Sequence, residues 1–553
     1  MNRSLGIALA LRGAWAQSSF ARAARDPRST QAAFLRAHLA RNRDTAFGRE
    51  HCFERIRDAR EFARRVPVRD YEGHRPWIDR LLSGERGVLT RADPLMFATT
   101  SGTTAEPKYV PVTRRWLREL AGLMRLWLYR AHRDHPGLFA GTSVSLVSPV
   151  VESRTPAGIP IGSVSGLTYR RAPWLVRRTY AVPYSVAEIA DHDHRYLAAA
   201  RLMLAADVSL LAAPNPSTLL RLAREGRTNA ETIVRAVHDG RLGVRVEAAR
   251  DPSERQRAVY AAVERRLRPD PARARAMGRV LEREGALLPS ALWPNLALIG
   301  CWLGGSAGVQ ARRLSASYGD APLRDLGLRA TEGTLTVPFE DGTAAGALAL
   351  RTGFWEFVPE DAGEEAGPPL LAHELEDGGR YSVLLTTSGG LYRYDIHDLV
   401  EVRGFHARCP SLAFLRKGRD MVSLTGEKLH SRQVAEAAER AAEELALPLV
   451  EVQLVADEEE MHYDLLVERD GGSGDLGRFA GVFDAALRTL NPEYDHKRAS
   501  DRLGAPRLVR MRAGWSARRR LRDVTHGMKR DAQYKWPILA AEWDAESRND
   551  VEP

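Results

Sequence analysis

The chain has 553 residues, 44% of them apolar, and sets 81 Lys and Arg against 71 Asp and Glu for a formal charge of +10. That length predicts at least two domains, and no run approaches the ~18–20 apolar residues of a membrane span, which predicts a soluble, cytoplasmic protein with no membrane partner. The basic residues are interspersed with acids, so a nucleic-acid partner is not expected, and the scattered Cys52, Cys301 and Cys409 match neither a disulfide framework nor a zinc pattern and read as core residues in a reducing compartment.

At the N-terminus an apolar run, LGIALAL, sits behind Arg3, and no acid appears before Asp26. That resembles a weak signal or transit peptide, but the run is only seven residues and lacks a clear small-residue cleavage site; with helix-like sequence continuing through Ala40, an amphipathic helix capping the first domain is the better reading. Helices with turns are predicted to residue 82, then a charged connector ending in Gly84-Glu85-Arg86-Gly87. Phe97 to Thr113 follows, reading FATTSGTTAEPKYVPVT, with Thr99, Thr100, Ser101, Thr103 and Thr104 crowded around Gly102 and Lys108 after a short spacer. Gly102 can adopt positive φ and turn backbone N–H groups inward. Hydroxyls, amides and a lysine converging on one point suit an oxyanion, and at about 1.5–3 kcal/mol for each hydrogen bond to a charged partner they can hold a polyphosphate. Taken alone, the stretch fits an ordinary Ser/Thr-Gly hairpin loop equally well. It is not a Walker loop, because Pro107 and Tyr109 stand where Gly and Ser or Thr belong, and no GxGxxG follows a strand.

Thr113 to Arg133 carries Trp116, Leu117, Leu120, Leu123, Met124, Trp127 and Leu128 near i, i+3, i+4 and i+7, the pattern of a long helix with a core-facing stripe. Residues 142–150 (TSVSLVSPV), 208–213 (VSLLAA) and 296–302 read as buried strands, and Asn215-Pro216-Ser217 opens a mostly helical stretch to residue 290. From Leu326 the chain turns β-rich, with strands near 334–339, 354–358, 381–387 and 399–402, and a solvated loop over 360–369. Beyond Gly418-Arg419-Asp420 a small α/β unit is predicted: a helix over 430–445, strands near 450–456 and 462–468, a Gly-rich turn at 470–474 and a helix over 476–490. The densest basic patch, Arg507 to Arg522, holds only Trp515 as a stacking aromatic and reads as a solvated face.

Six lysines stand among the 81 basic residues: Lys108, Lys417, Lys428, Lys497, Lys529 and Lys535. A codon bias toward arginine accounts for the scarcity, and it draws attention to places where a compact point charge serves and a planar fork does not. Four later stretches bear on the hydroxyl-rich loop. Ala330-Thr331-Glu332-Gly333 sets a hydroxyl beside a carboxylate, and Tyr392 to Asp398 (YRYDIHD) ends in a carboxylate. Gly418-Arg419-Asp420 with Gly426-Glu427-Lys428 looks like a hinge, and Gln533-Tyr534-Lys535 places a lysine far along the chain. Singly, a Thr-Glu pair is a cap or surface pair and an Asp after a strand is a turn residue. In this order they resemble the adenylate-forming enzyme superfamily. The resemblance is closest to the GH3 acyl acid–amido synthetases, particularly their bacterial members, and residues 47–72, 84–90, 215–219, 292–302, 391–402 and 531–537 extend it over nearly the whole chain.

The resemblance implies a large N-terminal α/β domain over residues 1–417, with mixed sheets flanked by helices and a β-rich barrel-like part, and a small mobile C-terminal α/β domain over 418–553. It implies an ATP- and Mg²⁺-dependent ligase that adenylates a carboxylic acid and passes the acyl group to an amine, typically an amino acid. Thioester formation on coenzyme A or a carrier protein, and a non-catalytic nucleotide-binding relative, are the alternatives. Matched residue by residue, Thr100, Ser101, Gly102, Thr103, Thr104 and Lys108 form the phosphate loop. Thr331 faces the α-phosphate beside Ala330, Glu332 holds Mg²⁺, and Gly305 and Ser306 form the adenine wall. Asp398 binds the ribose hydroxyls, Arg419 and Asp420 form the hinge, Lys428 lines the cleft, and Lys535 is the mobile catalytic lysine. Two positions depart from the family pattern: Leu328 replaces an adenine-side aromatic, and His397 replaces a glycine. Asp395 competes with Asp398 for the ribose, spacing favouring Asp398, and no histidine is assigned as a base for the amine step.

Overall fold

The computed structural model describes residues 3–100, 108–249, 251–360, 367–418, 421–447, 449–469, 476–525 and 536–552. The chain divides into two compact units, Met1–Thr99 with Tyr109–Leu415, and Thr100–Lys108 with Arg416–Pro553.

In the first unit, helices begin where the sequence supplies an oxygen for the free N–H groups of a first turn. Asp26, Asp58, Asp70 and Thr113 each accept such an N–H at the start of helices Pro27–Asn42, Ala59–Arg65, Tyr71–Leu82 and Arg114–Asp134, a cap worth about 1 kcal/mol. The last helix buries Trp116, Leu117, Leu120, Leu123, Leu126, Trp127 and Ala131. Met124 and Leu128, expected in its buried stripe, are only partly buried at the margins.

A four-stranded sheet sets Thr142–Ser145, Val208–Ala212, Leu298–Gly300 and Leu323–Arg324 side by side, all parallel. Helices supply Leu219, Leu222 and Met277 to the core formed with Leu211 and Ile299. The first strand is shorter than residues 142–150. Pro149 has no N–H for a ladder, and its carbonyl accepts the Ser163 N–H at 2.9 Å outside any strand. Crevices at the carboxyl ends of parallel strands are where α/β sheets bind ligands, and residues 301–304 and 325–328 leave two adjacent strands there.

The second sheet is antiparallel and seven-stranded. It runs in the order Leu370–Leu371, Gly353–Pro359, Arg380–Thr387, Tyr394–His406, Cys409–Lys417, Gly346–Leu348 and Thr336–Val337. Trp355, Phe357, Leu385 and Val400 from this sheet join Phe47, Phe62 and Tyr71 from the N-terminal helices in one core. The strand predicted near 399–402 is much longer and forms a hairpin with Cys409–Lys417, which was not predicted. The turn contains Ala407 at φ +57°, and no Gly or Asn marks it. A third sheet orders Lys108–Val112, Met96–Thr100, Pro160–Gly162 and Ser153–Arg154. Cys301 and Cys409 are buried, whereas Cys52 is only partly so and takes φ +50° before a short 3-10 turn.

In the second unit a sheet of Arg507–Met511, His462–Arg469, Leu449–Asp457 and Leu539–Ala540 carries helices Ser431–Glu444 and Leu476–Leu490. Phe479, Phe483 and Leu487 pack with Leu454 and Leu465 in its core. The expected Gly-rich turn at 470–474 lies outside the described residues. No helix among the described residues is long and apolar enough to cross a membrane.

Candidate functional site

The hydroxyl-rich stretch is flanked by strands Met96–Thr100 and Lys108–Val112. Phe97 and Val110 are buried in the core, the Tyr109 N–H donates to the Tyr71 hydroxyl at 2.7 Å, and the Leu95 N–H donates to the Val112 carbonyl at 2.8 Å. Thr113 closes the stretch, accepting from the Trp116 N–H at 3.2 Å and donating to the Ser388 carbonyl at 2.8 Å. Ser101, Gly102, Thr103, Thr104, Arg419, Asp420 and Lys535 lie outside the described residues, as do the side chains of Thr100 and Ser306. Gly305 and Ser306 open the helix Gly305–Arg312. The preceding Gly304 lines a cavity of about 520 Å³ with Thr343, Ala344 and Phe414, and a Cβ there would come within 3.3 Å of the Ala344 Cβ.

Thr331 and Glu332 occupy the tip of a tight turn. Ala330 and Gly333 exchange backbone hydrogen bonds at 2.9 and 3.2 Å, Arg329 bridges Thr334, and the Leu335 N–H donates to the Leu328 carbonyl at 2.9 Å. The base of the turn is tied to the neighbouring strand end by Asp325, whose carboxylate accepts from the Leu303 and Gly327 N–H groups at 2.6 Å each. Burial pushes the Asp325 carboxyl up to about 6. The Trp302 indole N–H donates to the Gly327 carbonyl at 3.0 Å, which brings an aromatic alongside the segment where Leu328 offers none. Gly327 itself has φ +91°, and a Cβ would lie 2.3 Å from the Thr336 carbonyl oxygen, so only glycine fits the entry to this turn.

Arg329 is the residue that sequence reasoning missed. Its Nε is buried without a hydrogen-bond partner, and burial pulls its guanidinium down to about 10, with Asp325 opposing that shift. That Nε–H is an unused donor close in the chain to the Thr331–Glu332 tip. The available signal was a basic residue two positions before a Thr-Glu pair.

Strand Tyr394–His406 supplies the ribose candidates. The Tyr394 hydroxyl donates to Glu332 Oε1 at 3.5 Å; burial first, then the Glu332 charge, raises that phenol well above its ordinary value. The strand thus meets the turn. Opposite Arg380–Thr387 the register slips, Ser382 pairing Leu399 and Leu384 pairing Asp395, so Ile396, His397 and Asp398 bulge against Val383. His397 takes φ +56° there. Asp395 turns back on the bulge, accepting the His397 N–H at 2.7 Å, while Asp398 is 3% exposed.

In the second unit the ribbon of Met421–Val422 and Leu429–His430 holds residues 423–428. The buried Glu427 carboxylate accepts from the Leu424 N–H at 2.6 Å, the Thr425 N–H at 2.7 Å and the Thr425 hydroxyl at 2.9 Å, and from the Tyr463 hydroxyl. Asn491 Nδ2 donates to the carbonyls of Glu427 and Lys428 at 2.9 and 3.3 Å. Lys428 is therefore held at φ +46° on a braced loop. Lys497 packs against that loop, its Nζ 3.4 Å from where a Gly426 Cβ would stand, and burial, then Arg502, draws its ammonium down to about 8.

Comparison with known proteins finds family matches along most of the chain. Residues 16–323 match the GH3 family N-terminal domain, 346–417 the GH3 family central domain and 432–543 the GH3 family C-terminal domain. The chain is 27% identical over 526 residues to a probable indole-3-acetic acid-amido synthetase GH3.2 of Oryza sativa subsp. japonica, covering 88% of this chain and 84% of that one. It is 24% identical over 440 residues to the indole-3-acetic acid-amido synthetase GH3.2 of Arabidopsis thaliana, covering 76% and 79%. Among solved structures, an AtGH3.15 acyl acid amido synthetase in complex with 2,4-DB superposes with a TM-score of 0.66 at 19% identity, over 97% of this chain and 96% of that one.

Proposed function

The chain belongs to the GH3 family, and on that premise we propose that it joins a carboxylic acid to an amine, activating the acid with ATP. The observation that carries this reading is the turn over residues 330–333. It offers a hydroxyl and a carboxylate at one tip, with Tyr394 linking Glu332 to the strand of Asp398.

In the first half-reaction a carboxylate oxygen bonds to the α-phosphorus and pyrophosphate leaves, giving an acyl adenylate. In the second, the amine nitrogen bonds to the acyl carbon, AMP leaves with the C–O bond electrons, and the nitrogen's extra proton passes to solvent. Such chemistry rests on positioning and charge neutralisation. Thr331 donates to an α-phosphate oxygen, and Arg329 offers its unused Nε–H to the incoming carboxylate. Asp398 accepts both ribose hydroxyls. Gly305, Ser306 and Ala330 wall the adenosine, with Trp302 supplying the aromatic surface that Leu328 lacks. The loop from Thr100 through Ser101, Gly102, Thr103 and Thr104 to Lys108 holds the outer phosphates. Glu332, an oxygen donor with a second oxygen beyond its Tyr394 contact, is the residue for Mg²⁺, which when bound neutralises phosphate charge. Lys535 is the mobile lysine of the adenylation step, with Lys428 as a second catalytic lysine and Arg419 and Asp420 as the hinge, as the family resemblance implies. The amine is an amino acid, as in the family reading.

The test is pyrophosphate release from ATP and Mg²⁺ with a panel of carboxylates that includes indole-3-acetate and 2,4-DB, using hydroxylamine as a trap. Acid-dependent release with hydroxamate formation is expected. No release with any acid would favour a nucleotide-binding relative, and release coupled only to a thiol acceptor would sink amide synthesis.

A further inference from the structure

Residues 153–187 contain Arg154, Arg170, Arg171, Arg177 and Arg178 and not one Asp, Glu or Lys; the nearest acids are Glu152 and Glu188. In a chain whose acids nearly match its bases, this is a one-sign stretch. Helices Val164–Arg171 and Trp174–Arg177 turn its basic residues outward, with Arg170, Arg171, Arg177 and Arg178 all exposed. Between the two arginine pairs stand Trp174, 57% exposed, and Leu175, 41% exposed, two of the five large hydrophobic side chains left in water among the described residues. None of the four arginines forms an ion pair with an acid among the described residues. Some exposed arginines elsewhere do, as Arg80 with Glu85, Arg440 with Glu436 and Arg518 with Asp550. Two of the four lie instead over aromatic rings, Arg178 at 5.1 Å from the Trp174 centroid and Arg170 at 5.7 Å from that of Tyr184.

We propose that this Arg-Arg-x-x-Trp-Leu-x-Arg-Arg patch docks the protein on the surface of an anionic phospholipid bilayer, independently of the catalytic reading. Trp174 and Leu175 enter the boundary between headgroups and acyl chains, where tryptophan's apolar ring and polar N–H are both accommodated, and the four guanidiniums meet lipid phosphates. Nucleic acid shares the phosphate chemistry. It offers nothing to an exposed leucine, whereas hydrocarbon does, and Leu175 decides for the bilayer. The helix bearing the apolar pair has four residues, so the contact lies on the membrane and does not span it. The sequence expectation of no membrane partner rested on the lack of a spanning run, and lying on a surface requires none.

The test is co-sedimentation of the full chain with vesicles of equimolar phosphatidylcholine and phosphatidylserine, against vesicles of phosphatidylcholine alone. Binding at least ~10-fold tighter to the anionic vesicles, and weakened by salt, is expected. A Trp174→Ser/Leu175→Ser double variant and an Arg170→Gln/Arg171→Gln/Arg177→Gln/Arg178→Gln variant should each lose that binding with unchanged melting temperatures, since all six side chains are exposed. Equal sedimentation of wild type with and without vesicles overturns the proposal. So does retained vesicle binding in the Trp174/Leu175 variant, or salt-sensitive binding to a polyadenylate probe with none to vesicles, which would assign the patch to nucleic acid.

Discussion

Asp395 and Asp398 show how much surroundings decide at the scale of single residues. Asp395 spends one oxygen on the His397 N–H and pairs with the His397 ring at 3.3 Å. Asp398 is almost wholly withdrawn from bulk water, where hydrogen bonds from a ligand count for more. Asp398→Asn should raise the KM for ATP at least ~10-fold, a loss of about 1.4 kcal/mol, while Asp395→Asn changes it less than ~3-fold, measured by acid-dependent pyrophosphate release. The reverse order would hand the ribose role to Asp395. His397 also explains a departure visible in the sequence. The bulge requires positive φ, which glycine adopts freely and histidine holds at a cost of about 1–2 kcal/mol, so His397→Gly should melt no lower than wild type. Residue identities were legible in the sequence, but conformations were not: nothing in YRYDIHD announces a three-residue bulge, and nothing in LRATEG announces that Arg329 Nε is buried without a hydrogen-bond partner.

At the scale of elements, the second sheet is tied to the N-terminal helices by a buried ion pair. Arg393 Nε lies 3.0 and 2.9 Å from the two oxygens of Glu356, and its Nη1 donates to the carbonyls of Ala63 and Val66 at 2.9 and 2.8 Å. Removing one partner leaves an uncompensated buried charge, so Glu356→Leu should cost about 3–5 kcal/mol, read as a lowered melting temperature. Two buried histidines add a pH dependence. His74 Nδ1 lies 3.0 Å from the Asp70 carbonyl and its Nε2 accepts the Tyr392 N–H at 3.3 Å, which fixes a neutral ring. Burial draws His74 down to about 4 and His38 to about 3, from an ordinary 6.5. Below pH 6.5 the unfolded chain therefore takes up protons that the folded chain refuses. The stability these rings confer is complete above 6.5 and falls by up to about 1.4 kcal/mol per pH unit per histidine as the pH drops toward 4. Thermal midpoints between about pH 7 and pH 5 should fall less steeply in His74→Gln than in wild type; parallel slopes would refute this. Long periodic elements such as Arg114–Asp134 could be read directly from spacing. The hairpin of Tyr394–His406 and Cys409–Lys417 could not, because its turn uses Ala407 at positive φ without a glycine or asparagine signal.

For the whole molecule, the order of motifs along the chain carried most of the functional reading. The hydroxyl-rich loop from Thr100, the Thr331-Glu332 pair, Asp398 and Lys535 are spread over more than 400 residues, and their order, with the stretches between and around them, resembled the family that the domain matches establish. Composition pointed less well. An even mixture of charges hides the acid-free stretch at 153–187, because one-sidedness is a property of a surface patch and averages away over 553 residues. The central claim is that the chain makes amides through an acyl adenylate, and mass spectrometry of one reaction tests it. With ATP, Mg²⁺, a carboxylate that supports pyrophosphate release and a mixture of the common amino acids, the account predicts an acyl–amino acid product in equal amount to AMP, reduced at least ~10-fold in Thr331→Ala. ATP consumed without any amide, or amide formation at the wild-type rate in Thr331→Ala, would contradict it.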